Sequence, residues 1–265
     1  MKDDAQKVDM TTIPNAARIY DYMLDGIHHY EADRQAAGFM LSLIPSTKKW
    51  VQLLRRYMNL TVRQLAGEGF DRFLDLASGL PTADHIHSTI PDANVIYIDN
   101  DPLVATIGAN IIGEHGNARY LEADIRDIAA ILDSRVVRDA FGDGRKVAIG
   151  LNAITCFLTH DEIRKLMVAL YEWAPLNSKL FATFETRNPT MMTPQMQQFL
   201  AAFDQMGSPY HFLTLQESMA LVAPWTVDEM GFRPLAEVLG VEAEMTEADR
   251  EGVELEFYGA VFTKQ

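Results

Sequence analysis

Apolar and polar positions divide the chain into a helical first quarter and a longer part in which strand-like and helix-like stretches alternate. In residues 47–66 the apolar side chains recur with a period near 3.6 residues and Gly67 and Gly69 follow, which predicts an amphipathic helix. Short β-prone runs come next, at RFLDLA, NVIYID, ARYLEAD, KVAIGLNA and KLFATFE. Helical patterns lie between them at residues 82–90, 102–113, 127–140 and 160–173. This order predicts an α/β fold with a mainly parallel sheet and helices on both faces.

Two further patterns complete the predicted architecture. Thr159 and Glu162 are spaced as a capping box, which predicts the start of the helix at 160–173. The final apolar run, LEFYGAVFTK, suits a last strand inserted antiparallel into the sheet. We see no repeat or linker, so we predict one unit with an N-terminal helical segment (1–69) and a core (70–265) that carries a helical insert around 190–230.

Composition narrows the classes of function. The chain of 265 residues is 48% hydrophobic, which suits a packed globular core. It contains no apolar run long enough to cross a membrane, and its first residues, MKDDAQKVDM, are too polar for a signal peptide, so we expect a cytoplasmic protein. A formal charge of −14 argues against nucleic acid as a partner. The single Cys156 excludes an internal disulfide and lies in an apolar stretch, where an inert thiol is expected.

The stretch FLDLASGLPTADHIH suggests where a ligand binds. In an open parallel sheet, ligands bind beyond the carboxyl ends of the strands, near the reversal of strand order. A dinucleotide-binding loop would need three glycines here, but this loop has only Gly79, which disfavours a nicotinamide-dependent oxidoreductase. Asp75, just before the turn, would repel a phosphate and attract a cation. We therefore expect a positively charged ligand at this loop.

The next two strand ends also carry carboxylates. Asp99 lies twenty positions after Gly79, where a carboxylate can accept both hydroxyls of a ribose. Asp124 ends the third strand and can accept a hydrogen bond from an exocyclic amine such as that of adenine. A ligand with a ribose, an amino-bearing base and a positive charge is indicated. S-adenosylmethionine fits that description.

Four segments in the same order resemble a known family: IPNAARIYDYMLDG, FLDLASGLPTADHIH, VIYIDNDP and LEADIRD. They are similar to the S-adenosyl methyltransferase family typified by actinobacterial proteins of mostly unassigned substrate, within the class I methyltransferases. The resemblance covers roughly residues 13–185. It implies a Rossmann-like, seven-stranded sheet, S-adenosylmethionine as cofactor and an N-terminal helical lid over the site. The residues we predict to bind the cofactor are Arg18, Tyr22, Asp75, Ala77, Ser78, Gly79, Asp99, Asn100, Asp124, Ile125 and Asn152.

This chain departs from the family pattern in three places. Ala77, Ser78 and Gly79 stand where the family commonly has Gly-Thr-Gly, so one glycine is lost although the replacements are small. The segment DGIHHY at 25–30 replaces a usual GGKDNF. Beyond residue 190 the sequence fits the family poorly. Substrate chemistry particular to this chain is therefore expected near residues 25–30.

The expected reaction needs a base only if the acceptor arrives protonated, because a sulfonium methyl group is already activated. His28 and His29 are our candidate bases, with His29 favoured, and Tyr20, Tyr30 and His85 are candidate substrate contacts. We expect no metal site, since His85 and His87 point in different directions on a helix. The predicted function is methyl transfer to oxygen or nitrogen of a small molecule. A non-catalytic ligand-binding or regulatory protein on the same fold is the alternative, and a homodimer is left open.

Overall fold

Helices surround a central sheet in the computed structural model, which describes residues 9–82, 84–113, 116–142 and 144–265. The α-helices of this part of the chain are α1 (Ala16–Met23), α2 (Glu31–Leu43), α3 (Thr47–Gly67), α4 (Ile86–Thr89), α5 (Pro102–Ile112), α6 (Ile128–Leu132), α7 (Arg135–Phe141), α8 (His160–Trp173), α9 (Pro194–Gln205), α10 (Leu215–Leu221) and α11 (Leu235–Val238). Helix α3 therefore confirms the helix predicted at 47–66. Helices α9 and α10 lie within the predicted insert.

The strands form one mixed sheet. They are β1 (Arg72–Leu76), β2 (Asn94–Asp99), β3 (Ala118–Glu122), β4 (Ala148–Leu151), β5 (Lys179–Thr186), β6 (Thr226–Val227), β7 (Arg233–Pro234) and β8 (Glu256–Thr263). The order is β3-β2-β1-β4-β5-β8-β6, and β7 also pairs with β8. Strands β1 to β5 are parallel and β8 is antiparallel to β5, as predicted. The sheet has eight strands rather than the seven predicted: six longer strands, and two strands of two residues each that both pair with β8.

Alternate side chains of the central strands enter different apolar clusters. Leu74 and Leu76 of β1 belong to one cluster, whereas Phe73 belongs to another on the opposite face of the strand. Helices thus cover both faces of the sheet, as expected for a parallel sheet. Strand order reverses at β1, which lies between β2 and β4. A ligand site is expected beyond the carboxyl ends of these strands.

Local signals explain which predicted helices formed. Helix α8 begins at the predicted capping box: the Thr159 hydroxyl accepts the Glu162 N–H, and the Glu162 carboxylate accepts the Thr159 N–H at 2.7 Å. The helix predicted at 127–140 is instead two helices, because Ser134 caps a new helix through the Val137 N–H. The helix predicted at 82–90 is reduced to the single turn of α4.

The N-terminal helices pack onto the C-terminal part of the chain. Buried residues of α1, α2 and α3 share one apolar cluster with residues of α9, α11 and β8. Trp50 stacks on Phe257 with ring centroids 4.5 Å apart, and the Trp50 indole N–H donates to the Asp249 carbonyl. These contacts fix α3 against β8 and the segment that precedes it. Every helix in the described part of the chain is too short or too polar to cross a bilayer.

Candidate functional site

A cavity of about 280 Å³ opens at the carboxyl ends of β1, β2, β4 and β5. Its walls include most of the residues predicted to bind a ligand: Tyr20, Asp75, Ala77, Ser78, Gly79, His85, Asp99, Asn100, Asp124, Ile125 and Asn152. Residues of α1 and α3 form its roof. The strand ends that the sequence identified therefore meet at one place, as parallel topology requires.

The loop after β1 has a backbone shape that favours small residues. Gly79 has φ +61°, and a Cβ atom there would lie 3.3 Å from the Cβ of Ala17 in α1. Ala77 also has a positive φ, +52°, at a position where the similar family carries glycine. The Ser78 N–H donates to the Ile98 carbonyl at 2.8 Å, which ties the loop to β2. The loop is thus held close beneath α1.

Asp99 at the end of β2 organises the cavity floor. One carboxylate oxygen accepts the Gly79 N–H at 3.0 Å and the other accepts the Asp101 N–H at 3.1 Å. Burial raises the pKa of Asp99, while these backbone hydrogen bonds act in the opposite direction. Each oxygen retains a second lone pair, so the carboxylate can still accept the hydroxyls of a ribose.

Asp75 and His85 form a buried polar pair beneath the loop. The Nε2 of His85 lies 3.6 Å from the Asp75 carboxylate, and its Nδ1 accepts the Ile86 N–H. Burial holds the pKa of His85 well below its ordinary value, so this contact is not an ion pair at neutral pH. Burial raises the pKa of Asp75 to about 7, with Arg55 acting to lower it. Gly150 of β4 makes room, since a Cβ atom there would lie 2.7 Å from the Asp75 carboxylate.

Asn152, which follows β4, has a buried side-chain amide group. Both side-chain amide atoms are buried, and neither has a hydrogen-bond partner among the described residues. A buried amide without partners is costly unless a ligand supplies them. Asn152 lines the cavity, so a ligand bound in the cavity could supply these partners.

Asp124 lies at the more open side. It caps the short turn that follows β3 and pairs with Arg126 at 3.1 Å, while Arg126 also pairs with Glu162 at 2.9 Å. Ile125 beside it is buried and lines the same wall. Arg126 is therefore already matched by two carboxylates.

Helix α1 is fastened over the cavity. The Asn15 side chain caps α1 by accepting the Ala17 N–H at 2.9 Å, and its amide donates to the Asp101 carboxylate at 2.9 Å. Asp33 of α2 accepts the Asn15 N–H at 2.9 Å. The N-terminal segment thus contacts the same strand end that positions Asp99.

Five predicted residues of the N-terminal segment lie outside the cavity wall, and each has a structural partner. Arg18 is buried and pairs with Asp33 at 2.8 Å, so it holds α1 to α2 instead of reaching a cofactor. Tyr22 packs edge-on against His29, whose Nε2 lies 3.0 Å from the Gly26 carbonyl. The others are Tyr30, which caps α2 beneath the Arg18 guanidinium, and His28, whose N–H donates to Asp21. This geometry gives no support to catalysis by His28 or His29.

The cavity contains several functional candidates that the sequence analysis missed. The Arg55 guanidinium of α3 lines the cavity and lies over the Tyr20 ring, 5.6 Å from its centroid. Glu185 lies at the carboxyl end of β5, beside Cys156, and the aromatic side chains of Phe157, Phe199, Phe203 and Tyr210 line the same cavity. Strand-end position was the signal that could have identified Glu185. No comparable signal marked the aromatic residues, which come together only in the folded chain.

Comparisons with known proteins agree with this geometry. A family model described as S-adenosyl methyltransferase matches residues 1–264. The chain belongs to the S-adenosyl methyltransferase family. Its cofactor is accordingly S-adenosylmethionine, as the carboxylates at the strand ends predicted, and it is a methyltransferase of the Rossmann-like fold.

Solved structures resemble this methyltransferase, two of them over nearly its whole length. A DUF574 family protein from Streptomyces avermitilis MA-4680 is 28% identical, with 97% of this chain and 99% of that chain covered and a TM-score of 0.81. A proposed methyltransferase from Thermobifida fusca YX is 27% identical, with full coverage of both chains and a TM-score of 0.83. Geranyl diphosphate C-methyltransferase from Streptomyces coelicolor A3(2) is 12% identical, covers 74% of this chain and 72% of that chain, has a TM-score of 0.50 and shows the fold alone. No match was found among proteins with curated descriptions.

Proposed function

We propose that this methyltransferase transfers the methyl group of S-adenosylmethionine to an oxygen or nitrogen atom of a small-molecule acceptor. One observation carries the proposal: a single cavity holds both the polar strand ends suited to the cofactor and a second region lined by Glu185 and four aromatic side chains. Its volume of about 280 Å³ and its roof of helices suit small molecules.

The cavity residues fit the cofactor at each of its parts. Asp99 would accept the ribose hydroxyls, and Asp124 with Ile125 would hold the adenine on its polar and apolar sides. Arg55 would pair with the carboxylate of the methionine part. Asn152, whose amide atoms are buried without partners, would bind the remaining polar groups.

When bound, S-adenosylmethionine supplies an electrophilic methyl group, which the acceptor's lone pair takes while the electrons of the broken C–S bond remain on sulfur. The protein contributes position and exclusion of water. Helix α1 covers the cavity through the Asn15–Asp101 contact, and Ala17 lies against Gly79. The acceptor would bind in the region lined by the aromatic side chains, where Glu185 can remove or hold a proton.

Cofactor binding tests the first half of the proposal. Replacing Asp99 by alanine removes two charge-assisted hydrogen bonds to the ribose, each contributing ~1.5–3 kcal/mol, so calorimetry should show S-adenosylhomocysteine binding at least about tenfold more weakly. The same change removes acceptors for Gly79 and Asp101, so the ligand-free protein should also melt at a lower temperature. Glu122→Ala is the matched control, because Glu122 is exposed and pairs in register with Asp99. Equal affinities for the two variants would contradict the ribose role.

Turnover tests the second half. S-adenosylmethionine with a radiolabelled methyl group is incubated with the enzyme and with a library of small alcohols, phenols and amines. Labelled small-molecule product is the expected result. Tight cofactor binding without transfer to any member would favour the alternative of a non-catalytic binding protein.

A further inference from the structure

Glu185 is a buried carboxyl group at the acceptor side of the cavity. It is the next-to-last residue of β5, at the same edge of the sheet as Asp75, and only 7% of its surface is exposed. The Tyr210 hydroxyl donates to its Oε2, and the Cys156 thiol is its other hydrogen-bond partner. Both partners are uncharged. Among the described residues Glu185 forms no ion pair, although buried acids usually have a positively charged partner.

Tyr210, which donates to this carboxyl group, belongs to a cluster of four aromatic rings in the cavity wall. The Phe203 ring centroid lies 5.0 Å from that of Tyr210, 5.2 Å from that of Phe199 and 5.5 Å from that of Phe157. All four rings line the cavity. We call Glu185 with these four aromatic residues the aromatic pocket. Ring faces attract cations, and several rings around one site are a known arrangement for ammonium groups.

The charges of the whole cavity point the same way. Its walls contain five carboxyl groups, on Asp21, Asp75, Asp99, Asp124 and Glu185, against the two guanidinium groups of Arg55 and Arg126. Arg126 is matched by Asp124 and Glu162. The excess of acid favours positively charged ligands on both the cofactor side and the acceptor side.

We infer that the methyl acceptor is an amine with an apolar body, bound as an ammonium ion by the Glu185 carboxylate and the rings of the aromatic pocket. This inference rests on the proposed function and selects nitrogen over oxygen. A neutral alcohol or phenol would gain little from the ring faces, because their attraction depends on the positive charge.

The same geometry gives Glu185 a role in the transfer. The ammonium must lose a proton before its nitrogen can act as a nucleophile, and the carboxylate beside it accepts that proton. The nitrogen lone pair then bonds to the methyl carbon as the C–S bond breaks, with its electron pair left on sulfur. The products are the methylated ammonium and S-adenosylhomocysteine, and Glu185 returns its proton to solvent. Burial raises the pKa of Glu185 to about 8, and a neighbouring ammonium lowers it again, so the group can both hold and release a proton near neutral pH.

The test measures binding rather than activity. Two probes of equal size, 2-phenylethylamine and 2-phenylethanol, are titrated into the protein saturated with S-adenosylhomocysteine. We expect the amine to bind at least about tenfold more tightly, because the ring faces and the carboxylate attract the charged ammonium group and not the neutral hydroxyl. Glu185→Gln should abolish this preference, and Phe203→Leu, which keeps apolar volume but removes a ring, should reduce it.

Matched controls separate the pocket from general effects. Glu256→Gln changes another partly buried acid, on the strand next to β5, and Phe212→Leu changes a ring that packs on Tyr210 at 5.0 Å outside the cavity wall. Both variants should retain the preference for the amine. Equal or tighter binding of the alcohol, absence of amine binding, or an unchanged preference in Phe203→Leu would overturn the inference. Calorimetry with S-adenosylhomocysteine on the same sample keeps the outcomes distinct, because loss of that binding would instead contradict the proposed function.

Discussion

Ala77 adopts a left-handed backbone conformation, φ +52°, which costs an L-residue roughly 1–2 kcal/mol. Glycine adopts this conformation without strain. Its unfolded chain has more conformational freedom, however, which lowers the free energy of unfolding by about 0.5–1 kcal/mol. We therefore predict that Ala77→Gly stabilises the protein by roughly 0.5–1 kcal/mol, measured by urea unfolding. Ala148→Gly, in the middle of the sheet where φ is negative, is the control and should destabilise by a similar amount. A lower midpoint for both variants would contradict the strain at Ala77.

Individual site residues were predictable where chain position alone fixes direction. Asp99 and Asp124 follow strands, and parallel strands end at one edge, so their meeting was accessible from the sequence. Arg18 and Arg55 show what chain position does not predict, namely which way a side chain on a helix points. Both are on amphipathic helices, but only the packing of α1 against α2 decides that Arg18 turns to Asp33 while Arg55 lines the cavity. Tyr210 and Glu185 are far apart in the chain, and nothing in the sequence indicates that they are in contact.

Among the helices and strands, those with strong local sequence signals were predicted correctly, whereas those with weak signals are determined by contacts with the rest of the chain. The capping box of α8 and the long periodic pattern of α3 gave these helices nearly to the residue. The pattern at 127–140 lacked a visible break because Ser134 acts as a cap only once the chain turns there. The strand runs were all found, but β6 and β7 have two residues each and are defined only by pairing with β8.

Helix α1 is the element whose behaviour the structure predicts most directly. Asn15 caps it and also ties it to Asp101, so we expect α1 to act as a lid that gains protection from hydrogen exchange when S-adenosylhomocysteine binds. Asn15→Ala should accelerate exchange in residues 16–23 of the ligand-free protein about fivefold, since a lost cap costs ~1 kcal/mol. Thr159→Ala removes the cap of α8 and should leave exchange in α1 unchanged. Equal protection of α1 with and without ligand would rule out a lid.

For the whole molecule, the acidic cavity couples stability to pH. The pKa of Glu185 rises from 4.5 to about 8 on folding, and that of Asp75 rises from 3.8 to about 7, both chiefly because of burial. At a pH between the unfolded and the folded pKa of each group, the folded chain binds more protons than the unfolded chain. The contribution of these groups to the free energy of unfolding is therefore complete below the unfolded pKa and is lost as the pH rises through the folded pKa. The Tm of the ligand-free wild type should therefore fall more steeply between pH 4.5 and about 8 than that of Glu185→Gln, with Asp75 leaving a smaller slope in the variant. Glu217→Gln is the control: hydrogen bonds in its capping box lower the pKa of Glu217, so its contribution stays constant across this window and is lost only at more acid pH. Parallel Tm curves for the wild type and Glu185→Gln would mean that folding does not raise the pKa of Glu185, so that its carboxylate is ionised in the ligand-free protein. The negative charge of the cavity would then have to be balanced by groups of the protein and not by a bound cation.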